Sequence, residues 1–146
     1  MIWQTGKTDY QNILAETETK SNRNIQIAEF IKNMELAYSA ADIIVSRAGA
    51  IAISELAVAK KPVLLVPFPF AAEDHQTKNA MTLVEKNAAR MVKDTEMKEK
   101  FWPTLMEICE SEKLRKEMSA NLDFFAKPNA AQEIVSEILS TLNIKF

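Results

Sequence analysis

The chain has 146 residues, enough for one domain with a core, and its 47% apolar and 26% charged residues at a net charge of -2 read as a soluble globular protein, excluding a disordered, collagenous or bulk nucleic-acid-binding one. Its one cysteine, Cys109, excludes an internal disulfide and a multi-cysteine zinc site and makes a reducing, cytoplasmic setting the expectation. No run approaches the ~20 apolar residues that span a bilayer, and "MIWQTGKTDY" lacks the basic-then-apolar layout of a secretion signal.

In chain order, "IWQT" (2–5) reads as the tail of a strand, "DYQNILAETE" as a helix, and "NIQIAEFI" (24–31) as a strand with Ile25 and Ile27 on one face. A short helix "MELAYSA" follows. "DIIVS" (42–46) and "PVLLVPF" (62–68) are continuous apolar runs rich in β-branched residues, which suit strands covered on both faces. Helices at about 50–59 and 76–87 separate them from each other and from a last short strand, "ARMV". This alternation predicts an α/β fold built on a parallel sheet with right-handed crossovers. The last third is helical. Met97, Phe101, Leu105 and Ile108 recur at helical spacing in a segment that Pro103 must kink or delay, and Ala131, Val135, Ile138 and Leu142 stack on one face of a helix that begins near Pro128. Both read as packing helices. With no repeat or linker, residues 1–146 are expected to form one domain, although its opening on a few strand residues suggests that something upstream is missing.

Ligands of an open parallel sheet bind outside the carboxyl ends of its strands, which here lead into "QTGK", "EFI", "SRAGA" and "PFPFAAEDHQ". Both glycines and the only histidine fall in these segments. A glycine at the mouth of a helix lets backbone approach a ligand, and the unpaired N–H groups of the first turn favour a phosphate; the alternative is that Gly49 only makes a strand-to-helix turn. Glu55 stands six residues further on, roughly 9 Å along a helix, and its side chain leans back toward the N-terminus. Its two oxygens suit the vicinal diol of a ribose, or it is a solvated helix glutamate.

"SRAGAIAISELAVAKKPVLLVPFPFAAEDHQTKNA" resembles the donor-binding signature of the MurG family of peptidoglycan glycosyltransferases, and "WQTGK", "EFIKNMELAYSAADIIVSRAGA" and "KPNAAQEIVSEIL" extend the likeness, in order, over nearly the whole chain. The resemblance implies a Rossmann-like parallel sheet with helices on both faces, the C-terminal half of a GT-B fold truncated at its N-terminal edge. It implies that Phe30 and Ile31 hold uracil largely by backbone groups with Met34 nearby, and that Gly49, Ala50 and Ile51 meet the diphosphate. It further implies that Glu55 binds the ribose and that His75, Gln76 and Asn79 read the hydroxyls of N-acetylglucosamine. Many members carry a hydroxyl residue where Ala52 stands, so the phosphate contacts here fall to the backbone. Arg47 belongs to the motif either as a ligand contact or as an ion pair bracing its loop.

The implied activity is inverting transfer of N-acetylglucosamine from UDP-N-acetylglucosamine to a lipid-linked muramoyl-pentapeptide, at the cytoplasmic face of the inner membrane. No cofactor and no metal is expected, since no Asp-x-Asp pair is present to hold a divalent cation on the diphosphate. No catalytic residue is expected either, because the general base and acceptor site of the family belong to an N-terminal domain that these motifs do not include. The expected partners are the nucleotide sugar, the acceptor and the membrane surface through that domain, with no nucleic acid. Two other readings stay open, a stand-alone donor-binding subunit of a split transferase and a related transferase with another acceptor.

Overall fold

The computed structural model describes residues 1–18 and 24–142, which divide into two compact units, Met1–Ala41 and Asp42–Phe146. In the first unit β1 (Ile2–Gln4) leads into α1 (Tyr10–Glu18), and β2 (Gln26–Ala28) into α2 (Met34–Ala40). The two strands pair in parallel, Trp3 opposite Ile27. The ladder continues past the strand ends through Thr5 N–H to the Ala28 carbonyl (3.0 Å) and Gly6 N–H to the Glu29 carbonyl (3.2 Å), with Gly6 at φ 77°, where glycine has no Cβ penalty.

The second unit is built on three parallel strands in the order β3 (Ile44–Ser46), β4 (Val63–Leu65), β5 (Arg90–Met91). α3 (Ala50–Ala59) connects β3 to β4. A 3-10 turn (Ala72–Asp74) and α4 (His75–Val84) connect β4 to β5. α5 (Met97–Glu110), α6 (Glu112–Leu122) and α7 (Ala130–Thr141) complete the chain. The alternating α/β order and parallel pairing follow the expectation, and α3 occupies the predicted span. The strands are shorter than the apolar runs that encode them.

Each residue of β4 is fully buried, so both faces of this central strand are covered, as its unbroken apolar run requires. On one side Leu64 joins Val92, Ile108 and Met118, against which Met97, Phe101, Leu105 and Leu114 pack. The 97–101–105–108 periodicity is therefore a core face. α5 starts at Met97 and contains Pro103 in its interior, so the proline does not delay the helix. Two expectations fail. Val45 of β3 is 45% exposed, so that strand is not covered on both faces. In α7 no residue is buried, and Val135, Ile138 and Leu142 lie open along with Ile134, so this helix packs on no core among the described residues. It starts at Ala130, leaving Pro128 outside its first turn. Amphipathic spacing shows that a helix owns an apolar face, not that the same chain covers it.

Candidate functional site

β3 ends at Ser46, and its ladder with β4 closes with the Val66 N–H donated to the Ser46 carbonyl at 2.8 Å. Beyond that bond the two chains part, one into the Gly49 turn and the other into "PFPF". Gly49 caps α3 with extended backbone (φ -65°, ψ 149°), and the first closed helical bond runs from Ile53 N–H to the Gly49 carbonyl at 2.9 Å. The amides of Ala50, Ile51 and Ala52 precede it, facing the N-terminal end of the helix, where the dipole favours negative charge. Ala50 and Ile51 are exposed, and so is Glu55 further along α3. A Cβ placed on Gly49 would meet nothing within 4 Å.

Side chains lace the two diverging loops together. Gln76, in the first turn of α4, accepts on Oε1 from the Ala48 amide (3.1 Å) and from the Phe68 amide (2.9 Å). Asn79, one turn on, donates from Nδ2 to the Ala48 carbonyl at 3.1 Å. Arg47 donates from Nη1 to the carbonyls of Val66 and Pro67, each at 3.2 Å, and pairs with Asp94 Oδ1 at 2.6 Å, with its guanidinium 5.7 Å from the Phe68 ring centre. The bracing role of Arg47 is thus built, across the ends of all three strands of this sheet. His75 is exposed at the start of α4, its Nε2 3.5 Å from Glu73. Glu73 and Asp74 both hold positive φ (48° and 57°), a costly backbone for residues with side chains, and this turn delivers His75 and Gln76 to the strand ends.

The structure therefore brings Gly49, Ala50, Gln76 and Asn79 to one end of the second unit's sheet. Phe30, Ile31 and Met34 belong to the first unit. There Phe30 is 70% exposed, Met34 opens α2, and the Ile31 amide is donated to Gln4 Oε1 at 2.8 Å. Sequence reasoning missed Gln4 and Asp94. The "WQTGK" motif contains Gln4 and was the available signal for it. Nothing local marks Asp94, which lies 47 residues from Arg47. Among the described residues no group of three His, Cys, Asp or Glu side chains is arranged to hold a metal ion.

Residues 1–135 match the glycosyltransferase family 28 C-terminal domain. The chain belongs to that family. It is 42% identical over 143 residues to the UDP-N-acetylglucosamine--N-acetylmuramyl-(pentapeptide) pyrophosphoryl-undecaprenol N-acetylglucosamine transferase of Cytophaga hutchinsonii, covering 98% of this chain and 38% of that protein. To the transferase of the same description from Bacteroides fragilis it is 46% identical over 140 residues, covering 94% of this chain and 37% of that protein. The crystal structure of MurG from Acinetobacter baumannii superposes with a TM-score of 0.80 at 34% identity, over 95% of this chain and 42% of that one. The fold is thus that of the Rossmann-like, C-terminal half of a GT-B glycosyltransferase. The family 28 chain described here spans well under half the length of these relatives.

Proposed function

We propose that the chain is the donor-binding part of an inverting transferase that moves N-acetylglucosamine from UDP onto a lipid-linked muramoyl-pentapeptide in peptidoglycan synthesis. It would act as a peripheral protein at the cytoplasmic face of the inner membrane, in the wall synthesis on which cell shape and division depend. The observation that carries this reading is the start of α3, where the first-turn amides, two of them on the exposed residues Ala50 and Ile51, follow a glycine with open space at its Cβ position beyond the carboxyl end of a strand, in a chain whose relatives are named for this transfer. In this reading the α3 amides bind the diphosphate, Glu55 accepts from both ribose hydroxyls, and His75 and Gln76, with Asn79 beside them, meet the hydroxyls of the sugar ring. Uracil donates its imide N–H to the Ile31 carbonyl, beside Phe30 and Met34, while the Ile31 amide is engaged by Gln4.

The chemistry assigned to these residues is leaving-group stabilisation. As an acceptor hydroxyl attacks the anomeric carbon, the bond to the diphosphate oxygen breaks and negative charge grows on the phosphate, where preorganised amides and the helix dipole stabilise it. The base that takes the hydroxyl proton and the acceptor site are assigned to the part of the longer relatives that this chain does not span. Calorimetric titration of the 146-residue chain tests the reading. UDP and UDP-N-acetylglucosamine are expected to bind and ADP is not, and no glycosidic bond forms when the lipid-linked acceptor is added. Equal binding of ADP refutes the uracil assignment, and transfer by this chain alone refutes the assignment of the base.

A further inference from the structure

After the last β3–β4 bond, the β4 side of the chain has few amides to offer. Pro67 and Pro69 have no N–H, and the Phe68 amide is donated to Gln76. The ladder therefore cannot hold this loop, and side chains hold it instead. Arg47 supplies the second hold. Its Nη1 donates to the Val66 and Pro67 carbonyls at 3.2 Å each, and its guanidinium lies 5.7 Å from the Phe68 ring centre, within cation–π range. Arg47 is also the first residue after β3 and stands two positions before the Gly49 cap of α3, so one side chain ties the β4 loop to the backbone entering the turn. An arginine is rotamer-rich, and two neutral carbonyls are a weak hold on one that is half exposed. Asp94 adds a charge-assisted bond at 2.6 Å, of a class roughly twice as strong as neutral ones. Asp94 is itself firmly placed. It opens a 3-10 turn two residues after Val92, which is 1% exposed and donates its amide to the Leu65 carbonyl of β4 at 3.0 Å. An ion pair whose side chains are 51% and 38% exposed contributes little to stability, so what this one supplies is the position of the guanidinium.

We infer that Asp94 is a positioning residue of the diphosphate end: through Arg47 it fixes the 66–68 loop against the Gly49 turn, and so it sets the affinity for a nucleoside diphosphate. It does this from outside every motif read in the sequence. The inference rests on the proposed meeting of the α3 amides with the diphosphate. The bonds on Nη1 leave the Nε and Nη2 donors of Arg47 outside the clamp, so direct contact between Arg47 and the phosphates is the competing reading. The two differ in the sign of one effect. If Asp94 holds a brace, its removal weakens UDP; if Asp94 competes with the diphosphate for a cation, its removal tightens UDP.

Titration of UDP and uridine against the whole chain and its Asp94→Asn, Asp94→Ala, Arg47→Ala and Asp94→Ala/Arg47→Ala variants tests this. Asn and Ala remove the same charge, but Asn keeps an oxygen for Nη1, so their difference separates the clamp from the general loss of a negative charge near an anion. At about 1 M salt, where the Debye length is about 3 Å, Asp94→Ala is expected to bind UDP about tenfold more weakly than the unsubstituted chain, and Asp94→Asn no more than about threefold more weakly. Uridine binds all of them alike. In the Arg47→Ala background, Asp94→Ala has no further effect, because the side chain through which it acts is gone. In the free Asp94→Ala protein the amide resonances of Ala48, Gly49 and Phe68 shift and the Arg47 guanidinium protons exchange faster, and Asn largely restores both. UDP binding by Asp94→Ala that equals or exceeds that of the unsubstituted chain would overturn the inference, as would equal losses for Asn and Ala or a loss that persists in the Arg47→Ala background. A parallel loss of uridine overturns it too, because it marks damage to the fold as a whole. If the unsubstituted chain binds neither ligand, the proposed function falls, while the free-protein resonances still decide whether Asp94 holds the loop.

Discussion

At Gly49 the backbone adopts extended angles open to any residue, and an added Cβ has clear space, so neither strain nor crowding within the chain calls for glycine. Close approach of a ligand to the backbone is the reason that remains. Gly49→Ala separates the two. Alanine narrows the unfolded ensemble, a gain of about 0.4–1 kcal/mol, but it is a poorer helix cap than glycine by a similar amount, so the melting temperature is expected to stay nearly unchanged. UDP affinity is expected to fall about tenfold or more, as the methyl group enters the space that the phosphate uses. Unchanged UDP binding in a stable Gly49→Ala protein would reduce Gly49 to a simple turn. Glu55 is tested at the same scale. Glu55→Gln keeps shape and removes the charge that strengthens hydrogen bonds to a diol, a loss of roughly 1–3 kcal/mol in UDP binding. Because Glu55 is exposed, its thermal midpoint should hardly move, and equal UDP affinity in both proteins returns it to the solvated helix face.

Among the elements, α5 and α7 carry similar apolar periodicities and meet opposite fates. Ile108 of α5 is fully buried in the cluster with Leu64, Val92 and Met118, so Ile108→Ala should cost about 2–5 kcal/mol in denaturant unfolding. Ile138 of α7 is 51% exposed, so Ile138→Glu should change stability by no more than about 0.5 kcal/mol. A large loss at Ile138 would mean that α7 is packed in solution. The same contrast shows what was legible in the sequence. β4 announced itself because a strand covered on both faces must be apolar at every position, and α3 because an alanine-rich run follows a glycine. α7 was misread because periodicity is a property of one helix, whereas burial is a property of two surfaces. The candidate site divides in the same way. The Gly49 turn and Glu55 are local, six residues apart, and could be read from spacing. The bonds from Gln76 to Ala48 and from Arg47 to Asp94 join residues 28 and 47 positions apart, and only the parallel sheet brings those loops together.

For the molecule as a whole, the distribution of buried side chains predicts unequal stability along the chain. Every fully buried hydrophobic residue among those described lies between Ile44 and Leu122, within the second unit. The first unit has a wholly exposed β1 and no buried residue in α2, and a segment of about 40 residues without a core of its own is marginal by the surface-to-volume argument. Amides of β1 and β2 should therefore exchange through openings that cost far less than global unfolding, at least about 100-fold faster than those of β4. Nucleotide binding is expected to change this hierarchy. If Ile31 and its neighbours hold the uracil, opening the first unit releases the ligand, so UDP at about 100 times its dissociation constant should slow first-unit exchange by about 100-fold. Hydrogen exchange with and without UDP measures both effects in one experiment. First-unit amides as slow as those of β4 would refute the hierarchy. Exchange that UDP leaves unaltered in the first unit, while it slows in the second, would refute the placement of uracil at Phe30, Ile31 and Met34 and leave the diphosphate assignment at α3 standing.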